Sequence, residues 1–218
     1  MKTNKTLIVS LIINVCIFLL VVAGTIIMFS ASSGALTARG LSVFKYFTFQ
    51  SNVYMAIVAL CYSLFQFLIL KGKIGKIPHV LTIFYYVGTV AVGLTFLVVI
   101  AFLSPIYGFL LMYSGPNLFY HALVPLCALV NFVFFLKECD IKFKETFITA
   151  SSCFIYGIGY LINVISQSGY GNPDIDFYMF GANGPFIGVL AFIIVIGVCY
   201  GIGIGIYFAN RLLSKKKD

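Results

Sequence analysis

The side chains able to do chemistry in this chain are few, and they fall at helical spacing. Phe47-Thr48-Phe49-Gln50-Ser51-Asn52 puts Thr48, Ser51 and Asn52 at i, i+3 and i+4, one polar face of a helix. Asn117-Leu118-Phe119-Tyr120-His121 puts Asn117 and His121 four apart on another, and Pro125 follows within one turn. Tyr156, Tyr160, Asn163 and Gln167 repeat at i, i+4, i+7 and i+11. A hydroxyl beside an imidazole is the minimal nucleophile and base pair for acyl transfer. Thr48 is the first candidate nucleophile and Ser51 the second, with His121 as the base. Neutral imidazole takes the hydroxyl proton during attack on an acyl carbonyl and returns it to the leaving alkoxide. Asn52 and Tyr120 are placed to stabilise an oxyanion. Gln50 carries an amide donor but points away from the face of Thr48. Asp174 or Asp176, in the acidic loop 168–181, are candidates to orient the imidazole. Asn117, Tyr160 and Asn163 are candidate supporting or substrate-binding groups.

The elements that must position these groups are set by composition. The chain has 218 residues, 61% hydrophobic and only 9% charged, against about 25% charged for soluble globular chains. Mean hydropathy is +1.08. This excludes a soluble enzyme, a disordered chain and a disulfide scaffold. Six stretches reach the ~20 apolar residues that cross a bilayer, at about 7–29, 43–70, 80–103, 118–136, 147–167 and 184–208. The expectation is one all-α transmembrane domain over 1–218, a bundle of six helices. The first stretch exceeds the ~7–15 residues of a signal-peptide core, despite the small residues at 31–35, and is read as a membrane helix.

The net charge of +8 maps topology rather than partners. Lys2, Lys5, Lys71, Lys73, Lys76, Lys137, Lys142, Lys144, Arg211 and Lys215 to Lys217 all fall on one side of an even-numbered bundle. Only Arg39 and Lys45 fall on the other. By the positive-inside rule both termini are cytoplasmic, and nucleic acid is not an expected partner. The chemistry-bearing residues then share one depth in the outer leaflet, where an amphipathic acyl substrate would enter from lipid. Pro125, lacking an N–H, should free the carbonyl of residue 121 and kink its helix.

All six acids lie outside the spans, which counts against ion-coupled transport. His-Glu-x-x-His and Gly-x-Ser-x-Gly signatures are missing, no metal or other cofactor is expected, and the six cysteines form no C-x-x-C pair. Gly197, Gly201 and Gly205 make two consecutive small-residue steps that suit close helix packing, including self-association.

The Tyr-Phe-Thr-Phe-Gln-Ser-Asn motif at 46–52 and the His-x-x-x-Pro motif at 121–125, within six short-looped helices, resemble the androgen-induced-protein-like (FAR-17a-like) membrane family. That family has bacterial and animal branches, and this chain resembles the bacterial one. Its animal members are threonine hydrolases of fatty-acid esters of hydroxy fatty acids. The resemblance matches their functional threonine to Thr48 and their functional histidine to His121. It is specific over 44–54 and 117–136. Bacterial relatives often carry Asp in the middle of the fourth helix, where this chain has Asn131. The expected function is therefore an intramembrane lipid-ester hydrolase. The alternative is a non-catalytic lipid-binding or transport protein using the same cavity. An AT-rich bacterial source suits the Trp-free, Ile-, Phe- and Lys-rich composition.

Overall fold

The structure is a computed structural model that describes residues 2–30, 40–136 and 141–215. Arg39, Lys137, Glu138, Cys139, Asp140, Lys216, Lys217, Asp218 and the small-residue segment 31–35 lie outside the described residues.

Six helices are long and apolar enough to cross a membrane, and the chain is a multi-pass, all-α membrane protein. They are α1 (Lys2–Ser30), α2 (Phe47–Leu70), α3 (His79–Tyr107), α4 (Pro116–Phe135), α5 (Phe143–Ser166) and α6 (Pro185–Lys215). The helices match the expected spans with shifted ends. α2 begins at Phe47 rather than 43, because Gly40–Lys45 is a separate 3₁₀ turn and Tyr46 is extended. α5 begins earlier, opening with a 3₁₀ segment over Phe143–Ala150.

α3 is the central helix. Its residues 85–95 are all buried, a full circumference covered by protein rather than lipid. Small residues permit this. A Cβ on Gly88 would lie 2.9 Å from Met55 Sδ of α2. At the other side Tyr86 donates to the Gly203 carbonyl of α6 and stacks on Phe132 of α4, ring centroids 5.0 Å apart. Gly203 itself is packed against Thr149, whose Oγ1 a Cβ would meet at 2.3 Å. Within the part of α6 that carries the glycine stripe, the close-packing glycine is Gly203. Gly197, Gly201 and Gly205 face outward with open space beside them.

Two polar layers cross the bundle. In the half nearer the termini, Asn14 donates to Gln66 Oε1 (2.9 Å) and Gln66 to Ser10 Oγ (2.8 Å). Tyr85 donates to Asn14 Oδ1 (2.7 Å). Asn131 Nδ2 donates to Asn14 Oδ1 (2.9 Å) and to the Tyr85 hydroxyl (2.7 Å). All five residues are essentially inaccessible, and they join α1, α2, α3 and α4. Each is a polar side chain in an otherwise apolar part of its helix, and each bonds another. The second layer, at the opposite end, holds the candidate site.

Candidate functional site

α4 owes its local shape to Pro125. Phe119–Leu123 forms a π-helical turn, closed by the Val124 N–H on the Phe119 carbonyl. In that register the Tyr120 carbonyl would pair with position 125, which has no N–H to give. Asn52 supplies the missing donor, its Nδ2 reaching the Tyr120 carbonyl at 3.2 Å and the Thr48 carbonyl at 2.7 Å. The freed carbonyl that α2 satisfies is thus that of Tyr120, one residue earlier than a simple α-helical count gives. The same pattern precedes Pro105, where Val99–Leu103 is π-helical.

His121 sits in this turn, half-buried. Its Nδ1 lies 2.8 Å from the Met112 carbonyl. A carbonyl only accepts, so Nδ1 carries the hydrogen, and in the neutral ring Nε2 holds the lone pair. No hydrogen bond to Nε2 is made among the described residues. Thr48, also half-buried, spends its carbonyl on Asn52 and Ser51 (3.1 Å). Its hydroxyl forms no hydrogen bond among the described residues. Thr48 and His121 are therefore not hydrogen-bonded to each other. They are linked through Asn52, which ties the first turn of α2 to the backbone beside His121.

Several other polar groups at this end are occupied, whereas the Ser104 and Tyr113 hydroxyls are buried without a partner among the described residues. Ser51 is buried and lies 3.4 Å from Thr95 Oγ1 of α3. The Tyr120 hydroxyl is 2.8 Å from Thr25 Oγ1 of α1. The Asn52 amide hydrogens are both donated, while its Oδ1 is buried without a partner among the described residues. Neither Asn52 nor Tyr120 has a donor to spare for an oxyanion in this state. Asn117 Nδ2 makes one long bond to the Leu111 carbonyl (3.5 Å).

The α5 face divides in two. Tyr156 donates to the Lys45 carbonyl (2.6 Å), and Tyr160 donates to Asp176. Asn163 is exposed and bonded by Gln167 within its own helix (2.7 Å). Asp176 is fully buried and also accepts the Gly171 and Gly181 N–H groups (2.9 and 2.8 Å). A Cβ on Gly181 would lie 3.0 Å from Asp176 Oδ2, so the carboxylate fits against bare backbone. Asp176 organises its own loop, and its bonds go to Tyr160 and backbone rather than to His121. Phe47 N–H donates to the Tyr178 hydroxyl (2.9 Å), which clips that loop onto the start of α2. Burial pushes the Tyr178 hydroxyl pKa up, so it remains a neutral phenol. Gln50 bonds the Phe44 carbonyl (2.6 Å), on the opposite side of α2 from Thr48.

On that opposite side lies a cavity of about 380 Å³ between α2, α3 and α5. Gln50, Ser51 and Tyr156 line one end, and Phe84, Val87 and Ile148 the other. Neither Thr48 nor His121 lines it. Ser51 is the junction between cavity and polar layer. Sequence reasoning missed this cavity, since it needs α5 to stand off α2. It also missed the Ser10–Gln66–Asn14–Tyr85–Asn131 layer, although polar residues at matched depth in four apolar spans were a usable signal. Among the described residues no three His, Cys, Asp or Glu side chains converge. No family model, no curated protein and no solved structure matches this chain.

Proposed function

We propose that this chain is an intramembrane lipid-ester hydrolase of bacterial origin, with cytoplasmic termini, acting on fatty-acyl esters from the outer leaflet. One observation carries the reading. In a layer where Ser51, Asn52, Tyr120 and Thr25 all spend their donors on one another or on backbone, the Thr48 hydroxyl and His121 Nε2 are unspent. The family resemblance at 46–52 and 121–125 supports the same pair.

Thr48 Oγ1 attacks the acyl carbonyl carbon as His121 Nε2 takes its proton. The Nδ1–H held by Met112 keeps the ring in the tautomer that accepts at Nε2. Collapse of the tetrahedral intermediate breaks the ester C–O bond, and the imidazolium protonates the leaving alkoxide. Water then cleaves the acyl-threonine by the same base. Catalytic hydrogen bonds are often long or absent before substrate binds, and movement of the Thr48 hydroxyl toward Nε2 completes the pair.

An active-site-directed fluorophosphonate labels the purified wild-type protein, and the adduct maps to Thr48. His121→Ala slows labelling about 10²–10⁴-fold, the usual worth of a general base, and Thr48→Ala abolishes it. Labelling that survives Thr48→Ala removes the assignment, and loss on Ser51→Ala alone moves the nucleophile.

The second reading is a non-catalytic lipid-binding or transport protein. The cavity on the far side of α2, which neither Thr48 nor His121 lines, favours it. It predicts co-purified lipid and no covalent labelling.

A further inference from the structure

The cavity between α2, α3 and α5 has features that select a ligand. Its volume of about 380 Å³ lies within the ~300–1,000 Å³ of small-molecule sites. It lies between helices long and apolar enough to span a membrane. From Ile148 to Tyr156 it follows α5 for roughly 12 Å at ~1.5 Å per residue, the reach of a stretch of extended acyl chain. The walls at the Phe84 end are apolar apart from the Tyr54 hydroxyl, which is spent on the Phe84 carbonyl (3.1 Å), and Ala91 of α3 leaves depth at the floor. Ser152 lines the wall with a buried hydroxyl oxygen that has no partner among the described residues.

The other end is polar and is tied by a hydrogen bond to the backbone of a cationic residue, Lys45. Gln50 and the buried Ser51 stand there, and Tyr156 donates to the Lys45 carbonyl. Lys45 Nζ lies over the Phe177 ring at 4.9 Å and the Tyr46 ring at 5.3 Å. Among the described residues it pairs with no carboxylate, the one ion pair there being His79 with Glu145. A cation held on ring faces keeps its capacity for an anion. A largely apolar slot whose polar end is bonded to the backbone of Lys45, a lysine with no carboxylate partner among the described residues, matches a single-chain amphiphile with an anionic head.

We propose that this cavity is a binding slot for a long-chain fatty acid, its chain against Val87, Ala91 and Ile155 and its carboxylate at the Gln50–Ser51 end toward Lys45. The slot is separate from the Thr48 and His121 pair and stands whether or not that pair is catalytic.

The test uses the full chain in detergent with a palmitic acid analogue carrying a diazirine in mid-chain. After illumination, mass spectrometry maps the adducts. They concentrate on Phe84, Val87, Ile148 and Ile155, and excess palmitate removes them. Palmitic acid methyl ester competes about tenfold less well than palmitate, and Lys45→Gln erases that difference. Ile155→Trp, at an exposed position on the rim, lowers slot labelling about tenfold. Adducts spread evenly over lipid-facing residues such as Ile26, Leu64 and Ile162 overturn the slot. That readout needs no variant to fold. Equal competition by acid and ester overturns the fatty acid as occupant. Fluorophosphonate labelling of Thr48 is read separately, so each proposal fails on its own measurement.

Discussion

Asn131 shows how one residue can be read two ways until its partners are known. A fully buried polar side chain deep in α4 invites a catalytic interpretation. Ten residues separate it from His121, roughly 15 Å along a helix, and both of its amide hydrogens are donated to Asn14 and Tyr85. Asn131 is a double donor, which a carboxylate cannot be. Asn131→Leu should therefore destabilise the bundle by about 1–2 kcal/mol, in the upper range of interhelical hydrogen bonds in membranes. Asn131→Asp should also destabilise, because at least one donated bond is lost. Both variants should keep wild-type fluorophosphonate labelling once folded. Unfolding in increasing denaturing detergent measures the first effect and labelling rate the second. A variant of wild-type stability with no labelling would give Asn131 a catalytic role instead. At this scale the sequence made the Thr48, Ser51 and Asn52 face legible, because i, i+3 and i+4 spacing is a property of the helix alone. Which of these groups would be spent was not legible, since that depends on Tyr120 and Thr95 from other helices.

The elements carry a second level of control, the π turns that precede Pro105 and Pro125. A proline inside an apolar helix is visible in sequence, and its missing N–H announces a free carbonyl. The choice between an α-helical kink and a π register is not visible. It depends on whether a neighbour can satisfy the carbonyl exposed, and here Asn52 of α2 does so. Pro125→Ala tests the connection. The new N–H lets α4 close in a regular α register, in which Tyr120 bonds within its own helix and no longer needs Asn52. Thermal stability should hold or rise, because proline in a helix interior costs about 3 kcal/mol. His121 turns with the register, so labelling of Thr48 should fall about tenfold or more, as misplacement of about 1 Å can cost up to 10²-fold. A stable Pro125→Ala protein that labels at the wild-type rate would separate the π turn from the chemistry.

For the whole molecule, composition, six apolar stretches and alternating charge made the bundle legible, since lipid as solvent leaves the backbone few options. The order of packing around α3 was not, because it is decided by small residues that let particular helices touch. The glycines of α6 separate these two kinds of information. Gly197, Gly201 and Gly205 form the regular stripe that sequence singles out, yet each faces open space, whereas Gly203, outside the stripe, receives Thr149 and the Tyr86 hydroxyl. A smooth backbone stripe unoccupied within one copy is the surface on which a second copy could pack closely. Gly201→Leu should then weaken self-association about tenfold, or 1.4 kcal/mol, measured by energy transfer between labelled copies as detergent dilutes them, without changing monomer unfolding. Gly203→Leu should do the reverse, unfolding the monomer because its Cβ would run into Thr149. Energy transfer unaffected by Gly201→Leu would leave the stripe as a lipid-facing surface. The contrast between the two glycines, two residues apart on one helix, separates contact between copies from packing within one.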